Sequence, residues 1–130
     1  MADAKMAYPR WRPITAIHLA ATDTNPATAP DPAWMPLAFP NPPDGEYPSG
    51  HATAGGAAAA VLQEFFGTDA VPLSIANNAG VTRSFSGFAQ AAEENSVSRV
   101  YAGYHFRNST AEGQALGQRV GAYVAANALK

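Results

Sequence analysis

The sequence has no cysteine, which excludes a disulfide framework, a thiolate metal site and a cysteine nucleophile. It has no apolar run near the roughly 18–20 residues that cross a bilayer, so no membrane span is expected. Its opening residues, Met1-Ala2-Asp3-Ala4-Lys5, do not read as a secretory signal peptide. These features imply a soluble chain and leave its compartment unspecified. Charge is also sparse: 8 lysines and arginines face 10 acidic residues, for a net charge of −2. With no basic block, neither nucleic acid nor an anionic membrane surface is an expected partner. The few cations therefore matter by position. Apolar residues make up 47% of the 130, enough to fold as a single domain over residues 1–130. Much of that share is alanine, which buries little area per residue, so the core should be thin.

Residues 1 to about 20 read as partly helical, interrupted by Pro9 and Pro13. Eight of the eleven prolines lie between Pro26 and Pro48, which excludes a continuous helix or a central strand there. Trp34, Met35, Leu37, Phe39 and Tyr47 in that stretch predict a packed loop over a helical surface, not a free linker. Residues 49–66 read as a helix stopped by Gly67. Gly55 and Gly56 inside it lower helix propensity by roughly 1 kcal/mol each, a cost usually offset by close approach of another backbone. Residues 71–75 suggest a short strand. A helix is expected from near Ser84, with Phe85, Phe88, Ala91 and Ala92 on one face, and a further turn or helix over about Ser98–His105. Ser109-Thr110-Ala111-Glu112 reads as a capping box opening a last helix with Leu116, Val120, Tyr123 and Val124 at helical spacing. The fold class is mainly α.

Three short patterns carry chemistry. Lys5 is followed, after six residues, by Arg12-Pro13. Pro48-Ser49-Gly50-His51 opens the alanine-rich helix. Ser98-Arg99 is followed, after five residues, by His105. A tetrahedral oxyanion needs several donors converging from different directions in a partly dry pocket. Arg12 and Arg99 offer forked, permanently charged donors, Lys5 a point charge and Ser49 a hydroxyl. A helix opening at Ser49-Gly50-His51 adds free amides and the positive end of its dipole, with Gly50 allowing close backbone approach. Of the two histidines, one could bind the central atom and the other move protons. Each residue alone also has a structural explanation. Lys5 and Arg12 could be solvated, Ser49 a helix cap, His51 and His105 packed histidines, and Arg99 an ion-pair partner. His18 belongs to no pattern and reads as structural; Arg107 and Arg119 read as exposed.

Together, in this order, the three patterns resemble the signatures K-x6-RP, PSGH and SR-x5-H of the vanadium haloperoxidase and type 2 phosphatidic acid phosphatase superfamily. The resemblance extends through Trp11–Ile17, Tyr47–Ala60 and Arg83–Gly121. It implies a helical bundle, here the C-terminal, site-bearing half, presenting one anion pocket. Lys5, Arg12, Ser49, Gly50 and Arg99 would hydrogen-bond the anion's oxygens, His105 would bond its central atom, and His51 would be the acid–base group opposite. In a haloperoxidase the anion is vanadate, with His105 the only protein ligand to vanadium. Hydrogen peroxide then oxidises a halide, with Lys5 polarising the peroxide. In an acid phosphatase no cofactor is needed. His105 would attack a phosphomonoester to form a phosphohistidine, and His51 would protonate the leaving alcohol.

The phosphatase signature usually continues His-x3-Asp, the carboxylate orienting the nucleophile. Here Ser109 stands in that place, equally readable as the cap of the last helix, and the haloperoxidase reading is favoured. Asp44, seven residues before His51, stands where haloperoxidases often carry an aromatic residue or histidine near the halide. Its charge would repel halide, making bromide a better substrate than chloride. Relatives of this type are several times longer and hold their arginines with upstream acids. A truncated chain is therefore expected, exposing Leu62, Phe65 and Phe88 to a second copy or to a partner supplying the missing helices. The remaining alternative is a non-catalytic fragment or packing subunit.

Overall fold

The computed structural model describes residues 2–38 and 40–128. Phe39, expected to pack the proline-rich loop, lies outside the described residues. As predicted, the two early prolines punctuate a helical start: α1 runs Ala2–Ala7 and α2 Pro13–His18. Pro13 sits at the first helical position, where a missing amide costs nothing. A 3-10 turn over Ala20–Thr22 follows.

Three longer helices form the body. Helix α3 spans Gly50–Phe66. Ser49 caps it by accepting the Ala52 amide at 3.5 Å, and Gly67 ends it in the left-handed region at φ 68°. Helix α4 spans Phe88–Tyr101 and α5 spans Arg107–Ala128. Between α3 and α4 lies an antiparallel hairpin, β1 Leu73–Ala76 and β2 Thr82–Phe85, with Leu73 opposite Phe85. The expected strand is present, two residues later than read. The helix expected from near Ser84 is also present, as α4, but begins at Phe88 because Ser84 and Phe85 complete β2. Asn77 forces the reversal: its side chain accepts the amides of Ala79 and Val81, and Gly80 takes φ 77°. The start of α4 is fixed at Phe88 by Asp69, whose Oδ1 accepts the Ala89 amide at 2.8 Å.

Two further expectations are corrected. Ser98–His105 is not a separate element, since α4 runs to Tyr101 and Gly103, at φ 77°, turns the chain. Ser109 does not cap the last helix, which already starts at Arg107. Ser109 is fully buried inside the first turn, and its hydroxyl donates to the Glu46 carbonyl at 3.1 Å.

The buried apolar set is small and mostly alanine: Ala20, Ala52, Ala59, Phe88, Ala92, Tyr104 and Ala125. What holds α3 against α5 is a seam of close backbone contacts. Gly113, Gly117 and Gly121 recur one helical turn apart on α5 and face the carbonyls of Ser49, Thr53 and Ala57 on α3; a methyl at Gly113 would lie 2.6 Å from the Ser49 oxygen. Gly56 meets the Gln114 carbonyl from the other side, the expected compensation for glycine within α3. Phe88 is buried under the hairpin, contrary to the expectation that it is exposed; Leu62 and Phe65 are exposed as read.

The proline-rich loop packs as expected through Trp34 and Tyr47, but not through Met35 and Leu37. Trp34 and Pro36 cover Gly103, the Trp34 carbonyl meets His18 Nε2 at 2.8 Å, and the Pro40 carbonyl accepts the Tyr104 hydroxyl at 3.2 Å. Met35 and Leu37 face solvent. Among the described residues, no helix is long and apolar enough to cross a membrane.

Candidate oxyanion site

The two ends of the loop meet the turn between α4 and α5, and most of the predicted residues gather there. Tyr104 and His105 both donate their amides to the Arg99 carbonyl, at 3.1 and 3.3 Å, so the turn folds His105 back over the end of α4. Ser109 then pins residues 46–49 to α5. Its hydroxyl donates to the Glu46 carbonyl, and its own carbonyl accepts the Ser49 amide at 3.1 Å. This sets the mouth of α3 beside His105.

His105 is 5% exposed. Its Nδ1 lies 3.2 Å from Glu46 Oε1, which also accepts the Phe106 amide at 2.9 Å. Its Nε2 lies 3.3 Å from Arg12 Nη1. A guanidinium can only donate and a carboxylate only accepts, so the two neighbours specify one tautomer. The proton sits on Nδ1 facing Glu46, and the Nε2 lone pair faces Arg12. Glu46 is completely buried. Burial pushes its carboxyl pKa up, but hydrogen bonds from His105, the Phe106 amide and Ser109 more than offset this and hold it below the usual 4.5.

Arg12, 6% exposed, is anchored by the carbonyls of Asp44 and Tyr104, each at 3.0 Å. Asp44 also bridges the two N-terminal cations: Oδ1 is 3.0 Å from Arg12 Nη2 and Oδ2 is 3.1 Å from Lys5 Nζ. Lys5 Nζ donates in addition to the Gly45 carbonyl. Burial opposes ionisation of Asp44, yet the Lys5 hydrogen bond and the charges of Lys5 and Arg12 keep its pKa below 3.8. An acid holding the site cation Arg12 was expected only in a missing upstream segment. It comes instead from the loop.

Arg99 lies over the Tyr104 ring, its guanidinium carbon 4.8 Å from the centroid. Its Nε is buried with no hydrogen-bond partner among the described residues. Burial and the Arg12 charge lower its pKa, the latter against an opposing effect of Tyr104, though a guanidinium stays charged at neutral pH. His51 stands apart from the tight cluster. Its side chain is exposed at the first turn of α3, and its carbonyl is tied to Asn95 of α4 at 2.7 Å. Burial, then the charge of Arg99 and that which His105 carries when protonated, lower its pKa below 6.5, so it is neutral at pH 7 and shares an electrostatic neighbourhood with both. Ser49 is fully buried at the helix mouth, with Gly50 next to it.

Arg12 and His105 are thus joined directly and Lys5 is joined to Arg12 through Asp44, Ser49 and Gly50 adjoin them through Ser109, and Arg99 and His51 sit within Coulombic reach. Glu46 was missed as a site residue, and Asp44, read only as a neighbour of the halide, was missed as the partner of Lys5 and Arg12. The sequence signal was available, two carboxylates within seven residues of His51 in a loop too proline-rich to be helical. Among the described residues no group of three or more His, Asp or Glu could cage a bare cation. The cluster sets positive and neutral donors, with the Asp44 and Glu46 carboxylates as their internal counter-charges, around a single imidazole lone pair. A buried guanidinium nitrogen without a partner is costly, and an oxyanion would satisfy it. The donor set therefore fits vanadate or phosphate.

A family model described as the VCPO second helical-bundle domain matches residues 1–130. Among solved structures, a bacterial vanadium-dependent iodoperoxidase is 35% identical with a TM-score of 0.71, over 87% of this chain and 26% of that one. The apo and holo forms of a bacterial vanadium-dependent chloroperoxidase are 19% and 17% identical, with TM-scores of 0.70 and 0.69, over 88% of this chain and 30% and 29% of theirs. At that identity they show the fold alone. No curated protein matches. The chain spans less than a third of these solved structures.

Proposed function

The chain belongs to the VCPO second helical-bundle family, within the superfamily of vanadium haloperoxidases and type 2 phosphatidic acid phosphatases, and from that membership we propose that it carries the anion pocket of a vanadium-dependent haloperoxidase. The observation that carries this reading is the setting of His105 between Glu46 and Arg12, which leaves the Nε2 lone pair as the ligand atom.

Bound vanadate supplies a Lewis-acidic centre that activates hydrogen peroxide towards halide. His105 is the protein ligand, held in register by Glu46. Arg12 would present its guanidinium to the anion, Arg99 would contribute its unpartnered Nε, and Ser49 with the first amides of α3, Gly50 included, would donate at the helix mouth. His51, neutral at pH 7, accepts a proton at the exposed rim. Lys5 supplies positive charge beside Arg12. Bromide is the expected halide over chloride because it is the more easily oxidised and the less strongly hydrated of the two. The 35% likeness to an iodoperoxidase adds iodide to the substrates to be tried.

One observation favours the phosphatase alternative. The carboxylate that Ser109 cannot provide on His105 is provided by Glu46, so the requirement for an oriented nucleophile is met by another route. The two readings separate in one experiment: dye halogenation with peroxide, vanadate and bromide or iodide, run beside hydrolysis of a phosphomonoester. Halogenation that disappears in His105→Ala supports the proposal. Phosphate release without halogenation overturns it in favour of the phosphatase.

A further inference from the structure

The five N–H groups of Arg12 have five internal acceptors. Nε donates to the Asp44 carbonyl, Nη1 faces the Tyr104 carbonyl and His105 Nε2, and Nη2 faces Asp44 Oδ1 at 3.0 Å and the Gly45 carbonyl at 3.5 Å. The other Asp44 oxygen holds Lys5. The two cations expected to bind an oxyanion are therefore already bridged by a carboxylate. A carboxylate presents two oxygens with a full negative charge, much as one edge of a tetrahedral oxyanion does.

The partners differ in their freedom to move. The Lys5 and Arg12 side chains are 12% and 7% exposed, whereas that of Asp44 is 52% exposed. Arg12 is fixed by main-chain carbonyls on two segments, whereas among the described residues the Asp44 carboxylate is held by Lys5, Arg12 and its own backbone amide. Of the three, Asp44 is the group that can swing into solvent without leaving a buried charge uncompensated.

We propose that Asp44 is an exchangeable internal counter-anion. Its carboxylate neutralises Lys5 and Arg12 while the pocket is free, and an incoming oxyanion displaces it. Resting on the anion-pocket reading of this site, the proposal adds that oxyanion affinity is set by competition with the protein's own carboxylate. Lys5 and Arg12 stay in place throughout; only the negative partner is exchanged. A vacant pair of buried cations is avoided, and the pocket favours ions carrying more charge than a single carboxylate.

The test is calorimetric titration of orthovanadate into the wild type, Asp44→Asn and His105→Ala. Asparagine keeps an acceptor for Arg12 and removes the charge. Removing one negative charge about 5 Å from a bound anion at a half-exposed position should tighten binding about tenfold. Tighter binding by Asp44→Asn, with wild-type binding abolished in His105→Ala, supports the proposal. Wild-type binding that Asp44→Asn leaves unchanged or weakens overturns it and leaves the pocket standing. No saturable binding by the wild type overturns both. Should Asp44→Asn fail to fold, as judged by circular dichroism, Asp44→Ser takes its place; loss of the fold in both variants makes Asp44 a structural bridge and also overturns the proposal.

Discussion

Replacing Glu46 by glutamine preserves its volume and removes its charge from the Nδ1 side of His105. Two hydrogen bonds change, those to His105 Nδ1 at 3.2 Å and to the Phe106 amide at 2.9 Å. A bond to a charged group contributes about 1.5–3 kcal/mol and a neutral one about 0.5–1.5 kcal/mol, so losing charge assistance in both costs roughly 2–3 kcal/mol. Relief from burying an ionised carboxylate offsets part of this, leaving a net loss of about 1–2 kcal/mol. With about 2.1 cal/mol/K of unfolding entropy per residue over 130 residues, Tm falls by roughly 4–7 °C. The pH dependence has a definite sign. The Glu46 pKa is lower in the folded chain than its ordinary 4.5, so its contribution is fully present above about pH 4.5 and fades as pH falls through the folded value. Calorimetric melts of wild type and Glu46→Gln between pH 7 and about pH 3 should show a gap at neutral pH that closes in acid. A variant that melts as high as wild type at pH 7, or a gap that persists unchanged at pH 3, would refute the reasoning.

Other outcomes follow from the same geometry. Gly117→Ala drives a methyl into the Thr53 carbonyl on α3; denaturant titration should show a loss of about 2–3 kcal/mol or more, as for other overpacked interfaces. Ser109→Ala removes the donor to the Glu46 carbonyl and should cost about 1–3 kcal/mol with helix content by circular dichroism unchanged, whereas a capping serine would lower it. The His51 ring, followed by NMR, should titrate below 6.5 in the free chain and shift upward with saturating phosphate, because a bound anion offsets Arg99 and the other cations. A His51 that titrates at 6.5 or above without ligand would contradict this.

What could be read from the sequence was what spacing encodes. Ser49 as the cap of α3 and Gly67 as its end needed only residue type and order, whereas grouping Lys5, Arg12 and His105 rested on the resemblance to the family signatures. The hairpin was half seen: a strand was legible over residues 71–75, overlapping β1, but Thr82–Phe85 is polar, short and mostly exposed, so only the turn chemistry of Asn77 and Gly80 marks it. Asp44 and Glu46 were missed as partners because they lie on an irregular loop, where no periodicity says which way a side chain points. Ser109 was misread for the opposite reason. Its sequence context is a strong local capping signal, but α5 starts two residues earlier and the hydroxyl serves a residue 63 positions away. Tertiary contact overrode a local rule at the place where the loop must be fixed to build the pocket.

The central claim is that His105 Nε2 is the one protein atom that bonds the centre of the anion. Vanadium K-edge X-ray absorption of the vanadate-loaded chain tests it directly. One imidazole nitrogen among the vanadium neighbours, absent in His105→Ala, is the predicted result; an oxygen-only shell, or a nitrogen that persists in His105→Ala, would contradict it.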